Sequence, residues 1–217
     1  AHSVQEARLA ARVAAEQKVA TQMGTQIHAE DNYRRVVELV RSGAIGPVSK
    51  CYAWVSAGKG GFQRPTDTPP VPEHLDWDLF VGPAPYRPYS PVYVPHGWHY
   101  WWDFGGGRLG NFGCHFMDLP FWALDLRHPI SIEASGPPVL PESTAKTMNI
   151  SYQFPARGNS PAVELIWRHA APPEILASNG MPQWESGILF MGSKGFILAD
   201  YGKRLLWPED KFADIEP

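Results

Sequence analysis

Nine prolines, at positions 65, 69, 70, 72, 83, 85, 88, 91 and 95, fall between Gly58 and Gly97. Each lacks a backbone N–H and fixes φ, so neither a long helix nor a central strand can run through this stretch. A short helical turn from about His74 to Phe80 is the most it admits. A loop of this length in a compact domain is functional, disordered or covers a partner. Regular structure therefore lies to either side, and the two sides differ. Upstream, Ser3 followed by Glu6 reads as a capping box opening a helix that reaches about Lys18. Val19 to Met23 reads as a short strand ending at Gly24, and Tyr33, Val36, Val37 and Val40 form the stripe of a second helix stopped at Ser42 and Gly43. Beyond position 105 a third helix carries Phe116, Leu119, Phe121, Trp122 and Leu124 to about Asp125, with Pro120 tolerated only as a kink or near its first turns. Strands follow. Met148, Ile150, Tyr152 and Phe154 alternate with Asn149, Ser151 and Gln153, and Val163 to Trp167 continues the pattern. Gly187 to Met191 and Phe196 to Ala199 read as a hairpin closed by residues 192–195, with Leu205 to Trp207 an edge strand held short by Pro208. Helices early and strands late predict an α+β domain: a mainly antiparallel open sheet with helices on one face, preceded by a helix and a strand.

With 217 residues, 44% of them hydrophobic, the chain can bury a sizeable core. A formal net charge of −3 supplies no basic field for nucleic acid. No segment approaches the roughly 18 apolar residues of a membrane span, and no basic-then-apolar leader opens the sequence, although a longer N-terminus could carry one. The compartment is left open. Cys51 and Cys114 form no CxxC pair and are expected as buried thiols.

The chemistry is expected in residues 105–118, where Gly105, Gly106 and Gly107 precede Asn111 and His115. Four residues apart on a helix, a carboxamide and an imidazole share one face and can address one small molecule. Just upstream, Trp98, Trp101 and Trp102 offer flat apolar surface of the kind that binds sugar rings and nicotinamides. Residues 105–110 also satisfy G-x-G-x-x-G, but Trp101 to Phe104 is no Rossmann strand, and a substrate loop feeding a helix N-terminus reads better. His96, His99, Asp103, His115 and Asp118 have metal-ligand spacing in part; the glycines and prolines leave their geometry unspecified, and no metal is expected. No nucleophile elbow is present, so acyl transfer has no support.

Residues 105–118 resemble the G-G-G-x-L-x-D-x-G-x-H-x-x-D signature of the Gfo/Idh/MocA oxidoreductases, the glucose-fructose oxidoreductase and inositol dehydrogenase family. Ser3 to Ala7 is similar to the helix after that family's Glu-Lys-Pro motif, Val19 to Gly24 to its last Rossmann strand, and Tyr33 to Val48 to its domain-linking helix. Leu75 to Pro85 is similar to an insertion in a bacterial branch thought to act on carbohydrates. The resemblance implies that residues 1–25 are a remnant of a dinucleotide-binding domain and that residues 26–217 are the C-terminal substrate and oligomerisation domain. The glycine-rich loop and catalytic Lys of the family are not in this sequence, so the chain alone is expected to bind no cofactor and turn over nothing. The parent would use NAD or NADP to oxidise or reduce a sugar or polyol. His115 is then the proton acceptor or its relay, and Asn111 orients the substrate hydroxyl. Trp98, Trp101, Trp102, Arg108 and Asp118 bind substrate, and Gln26 and His28 face the nicotinamide. Asn111 stands where the family most often has Asp, an uncharged amide in place of a carboxylate. A homodimer or homotetramer through the open sheet face is implied, with neither nucleic acid nor membrane as partner. Two other readings stay open: cofactor-assisted glycoside hydrolysis or elimination on the same scaffold, and a non-catalytic carbohydrate-binding or assembly module.

Overall fold

The computed structural model describes residues 3–216. Helix α1 (Val4–Gln17) starts where capping places it: the Ser3 hydroxyl accepts from the Glu6 N–H at 3.2 Å, and Lys18 ends the helix in the left-handed region. None of its residues is buried. The strand expected over Val19–Met23 does not form; these residues are exposed with no neighbouring strand, and an extended segment without a ladder gains no hydrogen bonds. A 3-10 turn over Gln26–Ala29 leads into α2 (Asp31–Arg41), which buries Tyr33, Val36, Val37, Leu39 and Val40.

The sequence then turns into a strand that its pattern conceals, β1 (Val48–Val55). Ser49 and Lys50 are polar, and from Cys51 onward both faces are covered, so no alternation survives to be read. The proline-rich stretch contains only α3 (Trp77–Val81), whose N-terminus is capped by the Asp76 carboxylate accepting from the Leu79 N–H. The helix expected to run to Asp125 is divided at Met117 into α4 (Gly107–Phe116) and α5 (Asp118–Ala123), because Pro120 has no N–H to return to the preceding turn. Next come β2 (Ser131–Ser135), β3 (Met148–Phe154), β4 (Val163–His169), the short α6 (Glu174–Ser178), β5 (Gly187–Gly192), β6 (Phe196–Ala199) and β7 (Arg204–Trp207). All seven strands join one sheet in the order β2-β3-β4-β1-β5-β6-β7. The β1–β4 pair is parallel and every other pair antiparallel.

Helices α2, α4 and α5 cover one face. Cys51, Ala53, Val55, Ile150, Leu165, Trp167, Phe190 and Ile197 lie beneath them in one core with Tyr33, Val36 and Leu119. The opposite face is only partly covered. Around α6, Leu176 and Met181 pack on Trp54, Leu189 and Leu198, and the Trp54 and Trp207 indoles donate to the Trp184 and Asn179 carbonyls, both at 3.0 Å. Gly187 is required opposite Trp54: a Cβ there would sit 2.8 Å from the indole ring. The rest of this face is wet, carrying Asn149, Ser151, Gln153, Lys50, Glu164 and Arg168.

The proline-rich segment builds a small core of its own from Trp77, Val81, Tyr89, Tyr93 and Trp101. Arg87 is buried within it, paired with Asp103 and lying over the Tyr93 and Phe104 rings at 5.5 and 5.1 Å. Cys51 is buried as expected, whereas Cys114, expected to be buried, is exposed on α4. Among the described residues no helix is long and apolar enough to cross a membrane.

Candidate active site

Helix α4 begins at Gly107, and the glycines that lead into it, 105 and 107, are dictated by the chain around them. A Cβ on Gly105 would meet the His99 carbonyl at 2.8 Å; one on Gly107, where φ is +61°, would meet the Thr144 hydroxyl at 2.5 Å. These contacts bring α4 close against residues 99 and 144 and aim one stripe of side chains outward. Arg108, Asn111 and His115 lie on that stripe at i, i+3 and i+7.

Beside it a cavity of about 440 Å³ opens between α4, the end of β1 and the turns before β5 and after β6. Arg108, Phe112 and Phe116 form its helical wall, with Ser56, Glu185, Asp200 and Tyr201 opposite. The Tyr201 ring meets His115 edge-on, 6.2 Å between centroids, and packs on Phe116 at 4.7 Å. Burial, with a smaller contribution from Cys114, pushes the Tyr201 phenol up to about 12, so it faces the cavity as a neutral hydrogen-bond donor. The His115 Nδ1 is buried with no hydrogen-bond partner, and its carbonyl accepts from the Tyr33 hydroxyl at 3.1 Å. Burial foremost, then the charges of Tyr201, Asp118 and Asp200, keeps that Tyr33 phenol protonated.

Tyr201 is itself held by a clamp reaching back to α2. The buried Asn32 amide donates to the carbonyls of Asp200 and Lys203, at 2.8 and 3.2 Å, and its oxygen accepts from Arg204 at 2.9 Å. The Asp200 carboxylate closes the same turn by accepting from the N–H groups of Gly202 and Lys203, both at 2.9 Å. Sequence reasoning missed Tyr201, Asn32 and Glu185. Asp200 and Gly202 mark a turn, but nothing local tells that the residue between them reaches α4.

Of the residues expected at the site, the structure brings Arg108 to the cavity wall and Asn111 and His115 to the adjoining stripe. The tryptophans go elsewhere. Trp101 is 2% exposed and packs on Tyr93 and Phe62 in the aromatic core of the proline-rich segment. Trp98 stacks on His99 at 3.7 Å, and Trp102 donates its indole N–H to the Leu140 carbonyl. For Trp101 the cause is plain, since the proline-rich segment needs large apolar side chains for its own core; Trp102 is 43% exposed and Trp98 half-buried, both outside that core. Asp118 is occupied as well, its carboxylate 2.7 Å from the Nδ1 of His28, whose ring stacks on Trp122 at 4.1 Å. That pair fastens the 26–29 turn to α5, and Gln26 is exposed beside it. The His and Asp residues weighed as metal ligands are dispersed, with Asp103 on Arg87 and the His99 ring on the His96 carbonyl. Among the described residues no group of three or more His, Cys, Asp or Glu could hold a metal ion.

A family model described as the oxidoreductase family, C-terminal alpha/beta domain, of the Gfo/Idh/MocA group matches residues 34–159, more than half of the chain. The chain belongs to this family. Solved structures of similar fold include the WlbA dehydrogenase from Bordetella pertussis in complex with NADH and UDP-GlcNAcA, with 15% identity and a TM-score of 0.60, covering 97% of this chain and 54% of that one. An NAD binding oxidoreductase from Klebsiella pneumoniae has 14% identity and a TM-score of 0.56, over 95% of this chain and 48% of the other. A super-repressor mutant of Gal80p from Saccharomyces cerevisiae has 16% identity and a TM-score of 0.52, over 95% and 50%. At such identities the likeness is one of fold, and this Gfo/Idh/MocA chain spans about half the length of these structures. No curated protein matches it. The oxidoreductase scaffold and the mostly antiparallel sheet expected from the sequence are those observed.

Proposed function

We propose that this chain is the sugar- or polyol-binding part of an NAD(P)-dependent oxidoreductase, contributing the proton acceptor for oxidation of a carbinol. The supporting observation is the α4 stripe of Arg108, Asn111 and His115 beside a cavity that Tyr201 closes. Gly105 and Gly107 are packed against His99 and Thr144 of the chain itself. In this reading a nicotinamide cofactor, when bound by the whole protein, would supply the hydride acceptor. What these residues do is narrower. Asn111 orients the substrate hydroxyl, His115 takes its proton, and Tyr201 donates to a neighbouring oxygen.

In the complete enzyme His115→Ala is expected to remove nearly all turnover. Asn111→Asp should preserve the fold and move the acidic limb of the pH–rate profile to higher pH, since a carboxylate beside an imidazole favours its protonated form. An active His115→Ala enzyme with an unaltered Asn111→Asp profile would overturn the assignment. The uncharged amide at 111, together with a fold likeness to a repressor, supports a second reading as a binding module. Carbohydrate binding by the complete protein with no turnover would favour it.

A further inference from the structure

Arg108 is a permanently charged side chain with no counter-ion. It forms no ion pair among the described residues, and its Nε is buried without a hydrogen-bond partner. Its position is nonetheless well defined. The guanidinium lies 5.0 Å from the centroid of the Phe112 ring, and the stem crosses Gly58 so closely that a Cβ there would fall 2.7 Å from the Arg108 Cγ. The polar groups around the first turn of α4 cannot neutralise it. His169, 2% exposed, accepts at Nδ1 from the Trp167 indole, which only donates; its proton is therefore on Nε2, and that atom too is unpartnered. Thr144, 3% exposed, has an unpartnered hydroxyl against Gly107. Neither carboxylate on the cavity wall pairs with Arg108: Asp200 accepts from the N–H groups of its own turn, and the exposed Glu185 makes no ion pair among the described residues. The N-cap residue Gly106 provides no side-chain cap, which leaves the positive end of a ten-residue helix beside the same charge.

We propose that Arg108 selects a ligand bearing a carboxylate, so that the sugar class taken by the cavity is a uronic acid rather than a neutral polyol. The proposal rests on the reading of this cavity as a carbohydrate site. A planar guanidinium pairs with a carboxylate through two parallel N–H···O bonds, and its stacking on Phe112 presents that fork pre-formed. Along α4, Arg108 and His115 are separated by about 10 Å of helical rise, so an acidic group at one end of a sugar would leave a hydroxyl near the other.

The test is titration of this chain by calorimetry with D-glucuronate, D-glucose and acetate. Glucuronate should bind roughly ten- to a hundredfold tighter than glucose, the ratio that charge-assisted hydrogen bonds supply, and tighter than acetate. Arg108→Gln should erase the difference with its melting curve unchanged. Gly58→Ala, which displaces the Arg108 stem, should reduce it. Equal affinity for glucose and glucuronate would overturn the proposal while leaving the carbohydrate reading intact. Equal affinity for acetate and glucuronate would overturn the carbohydrate reading, as would binding of none of the three, and the proposal would fall with it. A glucuronate preference that survives Arg108→Gln would remove Arg108 from the role.

Discussion

His169 occupies the last position of β4, where a histidine would ordinarily be free to titrate near neutrality. Here burial lowers its pKa below the ordinary 6.5, the charge of Arg108 adds to the effect, and the Ala145 backbone opposes it without reaching hydrogen-bond geometry. The unfolded chain therefore takes up a proton at His169 at a higher pH than the folded one does. The associated stability is fully present above about pH 6.5 and is lost as pH falls from there toward the depressed folded value. Urea midpoints measured from pH 7.5 down to 5 should fall more steeply for the natural protein than for His169→Asn, which keeps an acceptor for the Trp167 indole. Parallel curves would mean that His169 titrates alike in both states. The Trp167 indole can only donate, which sets the His169 tautomer, and the short Trp167-x-His169 spacing that allows this contact is visible in the sequence. Its significance is not, because the burial that makes a protonated imidazole costly, and the smaller contribution of Arg108, come from elements far away in the chain.

At the scale of elements, the sequence was most legible where one face is wet. β3 and β4 alternate because helices cover one side and solvent the other, and α2 shows its stripe for the same reason. β1 was illegible because it is central and covered on both faces, and β2 because all five of its residues are exposed at the sheet edge. The candidate site divides similarly. The α4 stripe is local in sequence and could be read, whereas the cavity wall opposite it is assembled from the end of β1 and two turns that only the sheet brings together. The proline-rich segment lacks long elements, as its prolines dictate, and Trp101, expected as ligand surface, instead completes the core around Arg87. This arrangement makes a prediction. Removing Arg87 empties the space against the Tyr93 and Phe104 rings and takes the partner from the partly exposed Asp103. Arg87→Ala should therefore loosen the segment between Gly58 and Gly97 selectively, leaving β1 and β3 to β6 in place. Limited proteolysis should show new cuts in that segment; a cleavage pattern identical to that of the natural protein would refute the local core.

The whole molecule presents one sheet face on which only the α6 end is covered. Across the remainder Lys50 and Glu164 pair at 2.8 Å on adjacent strands, and Ser151 and Gln153 both donate to the same carboxylate. Foremost the hydrogen bond from Lys50, then those from Ser151 and Gln153, hold Glu164 below the usual carboxylate range against the opposing effect of burial. The polar groups are thus satisfied within the chain and can be covered by a second copy without being stranded, which is the condition for a polar sheet to serve as an interface. We expect the 24.2 kDa chain to form a dimer or tetramer through this face. A light-scattering mass of one chain at high protein concentration would exclude it.

The parallel seam between β1 and β4 has a consequence in time. β4 and β5 follow one another in the chain, yet β1 lies between them and must be inserted for the sheet to become continuous. During synthesis β1 is made first and its partners last: Cys51, Ala53, Trp54 and Val55 emerge from the ribosome long before residues 163–169 exist to receive them. A keystone strand that is born early and seated late leaves the nascent chain with an apolar, unpaired ribbon until the strands that flank it have been translated.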